Sequence, residues 1–348
     1  MTAQDRRQPI VRQRLDAIRG ILDERGASGA LLSTRRNFAW ATVGGQNHVV
    51  LATEAGVAGL LVTRGEAVVL TAVNEAPRIA DEEVGDLSLE VRPLPWHDDA
   101  AMTHEAERLA GPNLLDDAAL EESLLPLRCA LAEPETDRMR WLAGRMTAAA
   151  GTALSAVRPG MTEHELAANA AHALAVEGVR SPVLLAAADD RIERYRHPLP
   201  SVRRIERRVM LVIVAERWGL HVAVTRFAEL QPLEQDLARR MAVAGAVHEA
   251  MVDATRPGRT LGDVVAAGQA AYAEGGYPDE WRLHHQGGII GYQGRERIGV
   301  PGDGMAIRAG MAFAWNPSVA GAKAEETVLL RADGPEVLTA GRSPVTDR

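Results

Sequence analysis

The feature that most constrains this chain is an internal repeat. The stretch that begins at Trp141 and ends at Val179 matches, without gaps, the one that ends at Tyr277. Arg158-Pro159-Gly160 falls on Arg256-Pro257-Gly258, Thr162 on Thr260 and Gly178 on Gly276, each pair 98 residues apart. Each copy reads as helix, R-P-G-x-T turn, second helix and glycine stop, followed by apolar, strand-like segments. A unit of this kind cannot bury its apolar face alone, so two copies are expected to pack their sheets together. A site is then expected in the cleft where strands of both halves converge.

The residues before the repeat read differently. Val11, Leu15, Ile18, Ile21 and Leu22 recur at helical spacing, with Gly26 as the stop. "SGALLST" and "GLLVTRGEAVVLTA" read as strands, the latter a pair joined at Arg64-Gly65-Glu66. With 348 residues the chain is long enough for two domains. The composition shifts at "EPET" (133–136), where a proline in a first turn opens a long Ala-rich helix. We place an N-terminal α/β domain at 1–132 and the duplicated domain at 133–348, an α/β (α+β) chain overall.

Composition narrows the function classes. The net charge is −8 with no long basic run, which argues against a nucleic-acid partner. No stretch is long and apolar enough to span a bilayer, and the N-terminus has no apolar signal core, so no membrane partner and a cytoplasmic location are expected. The single cysteine, Cys129, has no intrachain partner and reads as a buried structural thiol. Aromatics make up only 4% of residues, so Leu, Val and Ala must build the core.

Four segments of the second domain put polar residues into apolar surroundings. "RIERYRHPLPS" (191–201) carries His197. "LVIVAERWGLHVAVTRF" (211–227) reads as a buried hairpin around Gly219 that ends in Thr225-Arg226. "RLHHQGGIIGYQGRE" (282–296) carries His284 and His285. "MAFAWNPSVAGAKAEETVLL" (311–330) carries Asn316, Lys323 and Glu325. Each has a bland reading: a turn histidine, a core hairpin, a Gly-Gly bulge, a solvated edge. On a strand, adjacent histidines point to opposite faces, so only one of His284 and His285 is expected to face a given cleft. Together, two histidines, a strand-embedded glutamate and a strand-ending arginine form a set suited to proton transfer.

These segments, in this order, resemble the pita-bread family of methionine aminopeptidase, prolidase, aminopeptidase P and creatinase. The hairpin is similar to D-x-G-x-x-x-x-G-Y-x-x-D-x-T-R through Ala215, Glu216, Gly219, Thr225 and Arg226. "HQGG" falls on the family's H-G-x-G at His285, "WNP" on its E-P at Asn316, and "KAEE" on its R-x-E-D at Glu325. "TRRNFAWATVGG" (34–45) resembles the first domain of the creatinase type. The resemblance implies a pita-bread fold behind a creatinase-like α/β domain. For the peptidases it also implies two metal ions held by two Asp, one His and two Glu. In this chain the Asp positions are Val212 and Ala223, and the first Glu position is Asn316. Only His285 and Glu325 match, and Tyr292 stands near the place of a second histidine. Valine and alanine cannot ligate a metal, so the expectation is no metal and no cofactor.

Creatinase carries the metal-free version of this fold, and His197 aligns with its catalytic histidine. The resemblance thus implies a metal-independent hydrolase that processes a C–N bond in a small polar substrate. His197, His285 and Glu325 would be catalytic. Arg226, Tyr292, Asn316 and Lys323 would contact substrate, with Arg36 and Trp40 as a wall supplied across a homodimer. Two alternatives stand beside it: a metal-dependent Xaa-Pro aminopeptidase or dipeptidase with unusual ligands, and an inactive pseudopeptidase that binds a partner.

Overall fold

The computed structural model describes residues 7–341. Its contacts divide the chain into two compact units. One is Met1–Arg128 with Ala132–Glu135 and Trp218–Leu220; the other is Cys129–Leu131, Thr136–Arg217 and His221–Arg348.

The first unit is a mixed five-stranded sheet. Its strand order is Glu90–Leu94, Ala67–Ala72, Ala55–Thr63, Gly29–Thr34 and Leu114–Leu115, with the two outer pairings parallel and the inner ones antiparallel. The opening helix runs Arg7–Arg25 and stops where Gly26 takes a φ of +61°. Asp117 organises the turn after the strand Gly29–Thr34. Its carboxylate accepts from Ser33, from Thr34 and from the Asn37 amide at 2.7 Å. Arg128 then donates to Asn37 Oδ1 at 2.7 Å.

This network corrects part of the proposed substrate wall. Asn37 is fully buried by these bonds, and Trp40 is 1% exposed in the core with the Arg14 guanidinium 5.1 Å from its ring centroid. Trp40 therefore cannot touch a substrate. Arg36 is partly exposed and pairs with Glu121 at 3.0 Å.

In the second unit the repeat is visible as geometry. The helix pairs are Glu133–Ser155 with Glu163–Ala175, and Gln235–Ala254 with Leu261–Glu274. In each R-P-G-x-T turn the glycine has a φ of +88°, a value that favours glycine. The threonine is the N-cap of the second helix in both copies. Thr162 accepts from the Glu165 N–H and Glu165 returns a bond to the Thr162 N–H; Thr260 and Asp263 do the same. The motif is duplicated because both copies need the same sharp entry into a helix. Thr162→Ala and Thr260→Ala are each expected to cost about 1 kcal/mol in urea unfolding, roughly additively in the double variant. A loss confined to one copy would contradict the equivalence.

Each helix pair leads into its own sheet. The first is Arg180–Ala188, Arg208–Arg217 and Leu220–Glu229. The hairpin turn within it is only Trp218-Gly219, both at positive φ (+57° and +78°), which suits a two-residue hairpin loop and requires glycine at its second position. The second sheet is antiparallel, in the order Arg297–Ile298, Gly287–Ile290, Ala312–Trp315, Glu326–Arg331, Gly334–Val337. The sheets are stitched by Thr225 N–H to the Glu325 carbonyl (3.2 Å). Thr327 Oγ1 adds a second tie, accepting from Ala223 N–H and donating to Ala223 O. Gly287 and Gly288 are there for clearance. A Cβ on either would lie 2.0 Å from a neighbouring strand's carbonyl oxygen, that of Ala314 or of Arg297.

Candidate active site

Pleat parity explains the Thr225-Arg226 ending of the hairpin. Thr225 and Glu325 meet on one face, Oγ1 donating to Oε2 at 2.6 Å. Arg226 and Glu326 meet on the other, as a two-pronged pair at 2.8 and 3.0 Å. Arg226 also donates to the carbonyls of Thr225 and Thr339. Its guanidinium is therefore committed to the fold, and it is not the substrate contact expected from sequence.

Glu325 is 2% exposed, and its carboxylate is held three ways: by Thr225, by Lys323 Nζ at 2.8 Å and by Arg295 at 3.0 Å. Burial alone would raise its pKa, but Lys323 and Arg295 outweigh it and hold the group at about 2. An ionised carboxylate shared by two cations does not exchange protons near neutrality; it positions Lys323 and Arg295. The trio leaves one positive charge in excess. Arg295 lies in "GYQGRE", where the sequence reading assigned it no role. The signal available was a charged Arg295-Glu296-Arg297 run directly after a glycine-rich, strand-like stretch.

Three imidazoles gather beside this trio. His197 follows the short helix Asp190–Arg194 in a turn; His284 and His285 sit between the turn Glu280–Leu283 and the strand that starts at Gly287. His284 Nε2 and His197 Nε2 are 3.1 Å apart. Ring centroids are 4.9 Å apart for His197–His284, 6.0 Å for His197–His285 and 4.5 Å for His284–His285. The expectation that only one of the adjacent histidines faces the site is thus corrected. They precede the strand, so the alternation of a strand does not apply to them. Burial, reinforced by His285 and Lys323, pushes His284 down to about 2; burial and Arg295 push His285 to about 4. His197 is lowered by burial and by Lys323. All three are neutral at pH 7.

The remaining expected residues fall around this group. Asn316 lies one step beyond the paired Trp315 and Glu326, which sets it opposite Glu325, and its N–H donates to the Gln286 carbonyl at 3.1 Å. Its side-chain Oδ1 is buried without a partner among the described residues. Tyr292 is buried, its N–H held by Glu296 at 2.8 Å. A small recess, with room for about one water, is lined by Tyr195, Arg196, Met210, His284, Ser318 and Lys323, among others. Tyr272 braces it from behind, bonding Gln286 and both backbone groups of Ser318.

One buried histidine outside the cluster also bears on pH. His248, on the helix Gln235–Ala254, has Nε2 buried without a partner among the described residues, and burial pushes it to about 4 despite Glu325 nearby, with Arg226 opposing protonation. A folded-state pKa below the unfolded value means stability is full above about 6.5 and falls as pH drops toward 4. Between pH 7 and 5 this group is expected to withdraw about 2 kcal/mol. His248→Leu should flatten that part of the pH-stability curve; an unchanged slope would reject the assignment.

The model of metallopeptidase family M24 matches residues 138–332, more than half of the chain. The chain belongs to metallopeptidase family M24. Probable dipeptidase PepE of Mycobacterium tuberculosis is 27% identical over 217 residues, 60% of this chain and 58% of that protein. The chain thus aligns over less than two thirds of that curated relative. Among solved structures, dipeptidase PepE from Mycobacterium ulcerans has a TM-score of 0.78 at 20% identity, covering 97% of this chain and 98% of that one. The prolidase from Pyrococcus horikoshii has a TM-score of 0.78 at 18% identity, covering 95% and 99%. The fold is therefore the pita-bread fold with an N-terminal domain before it.

The family name implies metal, and a carboxylate-bridged pair of ions needs several anionic oxygen ligands. At the two positions where the family's pattern has aspartates, Val212 packs with Leu185, Ile192, Met210 and Phe227, and Ala223 offers no donor. Asn316 replaces a charged bridge with a neutral amide, and Glu325 is already neutralised by two cations. This donor set does not fit a dinuclear centre, because nothing balances four positive charges there.

Proposed function

We propose that this M24 member is a hydrolase that cleaves a C–N bond in a small substrate bearing a carboxylate, without a dinuclear metal centre. The observation that carries the reading is the neutral three-histidine group set beside one surplus positive charge from Lys323, Arg295 and Glu325. A substrate carboxylate, as in a dipeptide or an N-acyl or cyclic amino acid, would answer that charge. His197, the exposed member of the three, would take a proton from the attacking water and return it to the leaving nitrogen. Glu325, first expected to be catalytic, serves here by fixing Lys323. The protein is proposed to act as a cytoplasmic homodimer, which sedimentation would test for its oligomeric state.

The family match and the likeness to PepE favour a second reading, a metal-dependent dipeptidase with an unusual ligand set. The two separate on chelator-treated protein given a panel of dipeptides, including Xaa-Pro, and N-acyl and cyclic amino acids. Turnover that survives chelation supports the first reading. Turnover that strictly requires added Mn²⁺ or Co²⁺ supports the second. Absence of turnover under both conditions overturns both.

A further inference from the structure

The histidine group has a property that hydrolysis by proton transfer does not require. His197, His284 and His285 each offer a ring nitrogen, and the three nitrogens lie within 4.8 Å of one another. Around a tetrahedral ion, nitrogens at 2.0–2.1 Å stand about 3.3 Å apart. The His197–His284 pair is already at 3.1 Å. The third ring is that of His285, half-buried beside them with its nitrogen within 4.8 Å, and a side-chain adjustment would bring it to ligand spacing.

The group is also under-satisfied as it stands. Two rings share one contact, and His284 Nδ1 is buried with no partner among the described residues. His285 receives only a long bond, from the Gly287 N–H at 3.3 Å. Buried polar atoms left this way commonly serve a ligand.

We propose that these three histidines form a mononuclear site for one late first-row divalent ion of the Zn²⁺ class. It is distinct from the carboxylate-bridged pair of the family pattern and uses two residues, His197 and His284, outside that ligand set. Three neutral imidazoles suit Zn²⁺, Ni²⁺ or Cu²⁺ and not the oxygen-seeking Mg²⁺ or Ca²⁺. Lys323 and the Lys323–Glu325–Arg295 trio oppose a second positive charge nearby, so affinity is moderate and a fourth, anionic ligand is favoured. Three protein ligands leave that fourth position open. The inference does not depend on the proposed hydrolysis.

The test is a calorimetric titration of the full chain, stripped by chelator, with Zn²⁺. One ion per chain is expected, with Mg²⁺ failing to compete. Co²⁺ in its place should show the visible absorption of a nitrogen-ligated ion. The chain has 10 histidines, so variants must locate the ion. His284→Ala and the exposed His197→Gln are each expected to weaken binding by about 10-fold or more. Their melting curves in chelator check that both remain folded; if His284→Ala does not, His197→Gln decides alone. No one-to-one binding, or binding unaltered in the folded variants, overturns the site. Zn²⁺ that binds and abolishes turnover supports the site and the proton-transfer reading together. Zn²⁺ that binds and is required for turnover supports the site and overturns that reading.

Discussion

His197→Ala is expected to lower turnover of the small carboxylate-bearing substrates proposed above by about 10²–10⁴-fold, the span usual for a lost general acid–base group. Stability should change little, because His197 is exposed and holds no strand or helix in place. The loss should fall on kcat more than on KM, since the surplus charge that would bind the carboxylate comes from Lys323 and Arg295. Lys323→Met should show the reverse emphasis, raising KM. Steady-state kinetics on the two variants check this. A His197→Ala enzyme with unchanged kcat would remove His197 from the chemistry.

Glu325→Gln should destabilise the protein by about 3–5 kcal/mol, the cost of leaving buried charge without its partner. Glutamine still accepts from Thr225, but Lys323 and Arg295 would then face each other without an anion. Lys323 is 7% exposed, so water cannot readily take over. The double variant Glu325→Gln with Lys323→Met should recover part of the loss, because only one cation remains. Urea unfolding of the single and double variants measures both terms. A single-variant loss below about 1 kcal/mol would mean that the trio is solvated and that Glu325 does not organise it. The sign with pH follows from a carboxyl held at about 2: the stabilisation is present above its unfolded value and is lost as pH falls toward 2.

Much of the architecture was legible in the chain. The R-P-G-x-T repeat announces two equivalent helix entries because a positive-φ glycine and a capping threonine are local requirements, set within a few residues. The hairpin was legible for the same reason: β-branched runs on either side of Gly219 leave little else for the backbone to do. Trp40 shows where pattern reading stops. "RRNFAW" looks like a surface segment until Asp117, 80 residues from Asn37, draws it inward.

The site divides along the same line. Sequence by itself settled which residue types are available: histidines at 197, 284 and 285, a lysine and a glutamate at 323 and 325, and no carboxylate at 212 or 223. Side-chain chemistry is local, so composition at a position already limits what that position can ligate or titrate. Only the tertiary structure decided their partners. It sent Thr225 to Glu325 and Arg226 to Glu326 by pleat parity, tied Glu325 to Arg295 from another strand connection, and turned both His284 and His285 toward His197. Charge pairing and proton affinity depend on distances across the fold, and those distances are fixed by packing that no short stretch of sequence contains.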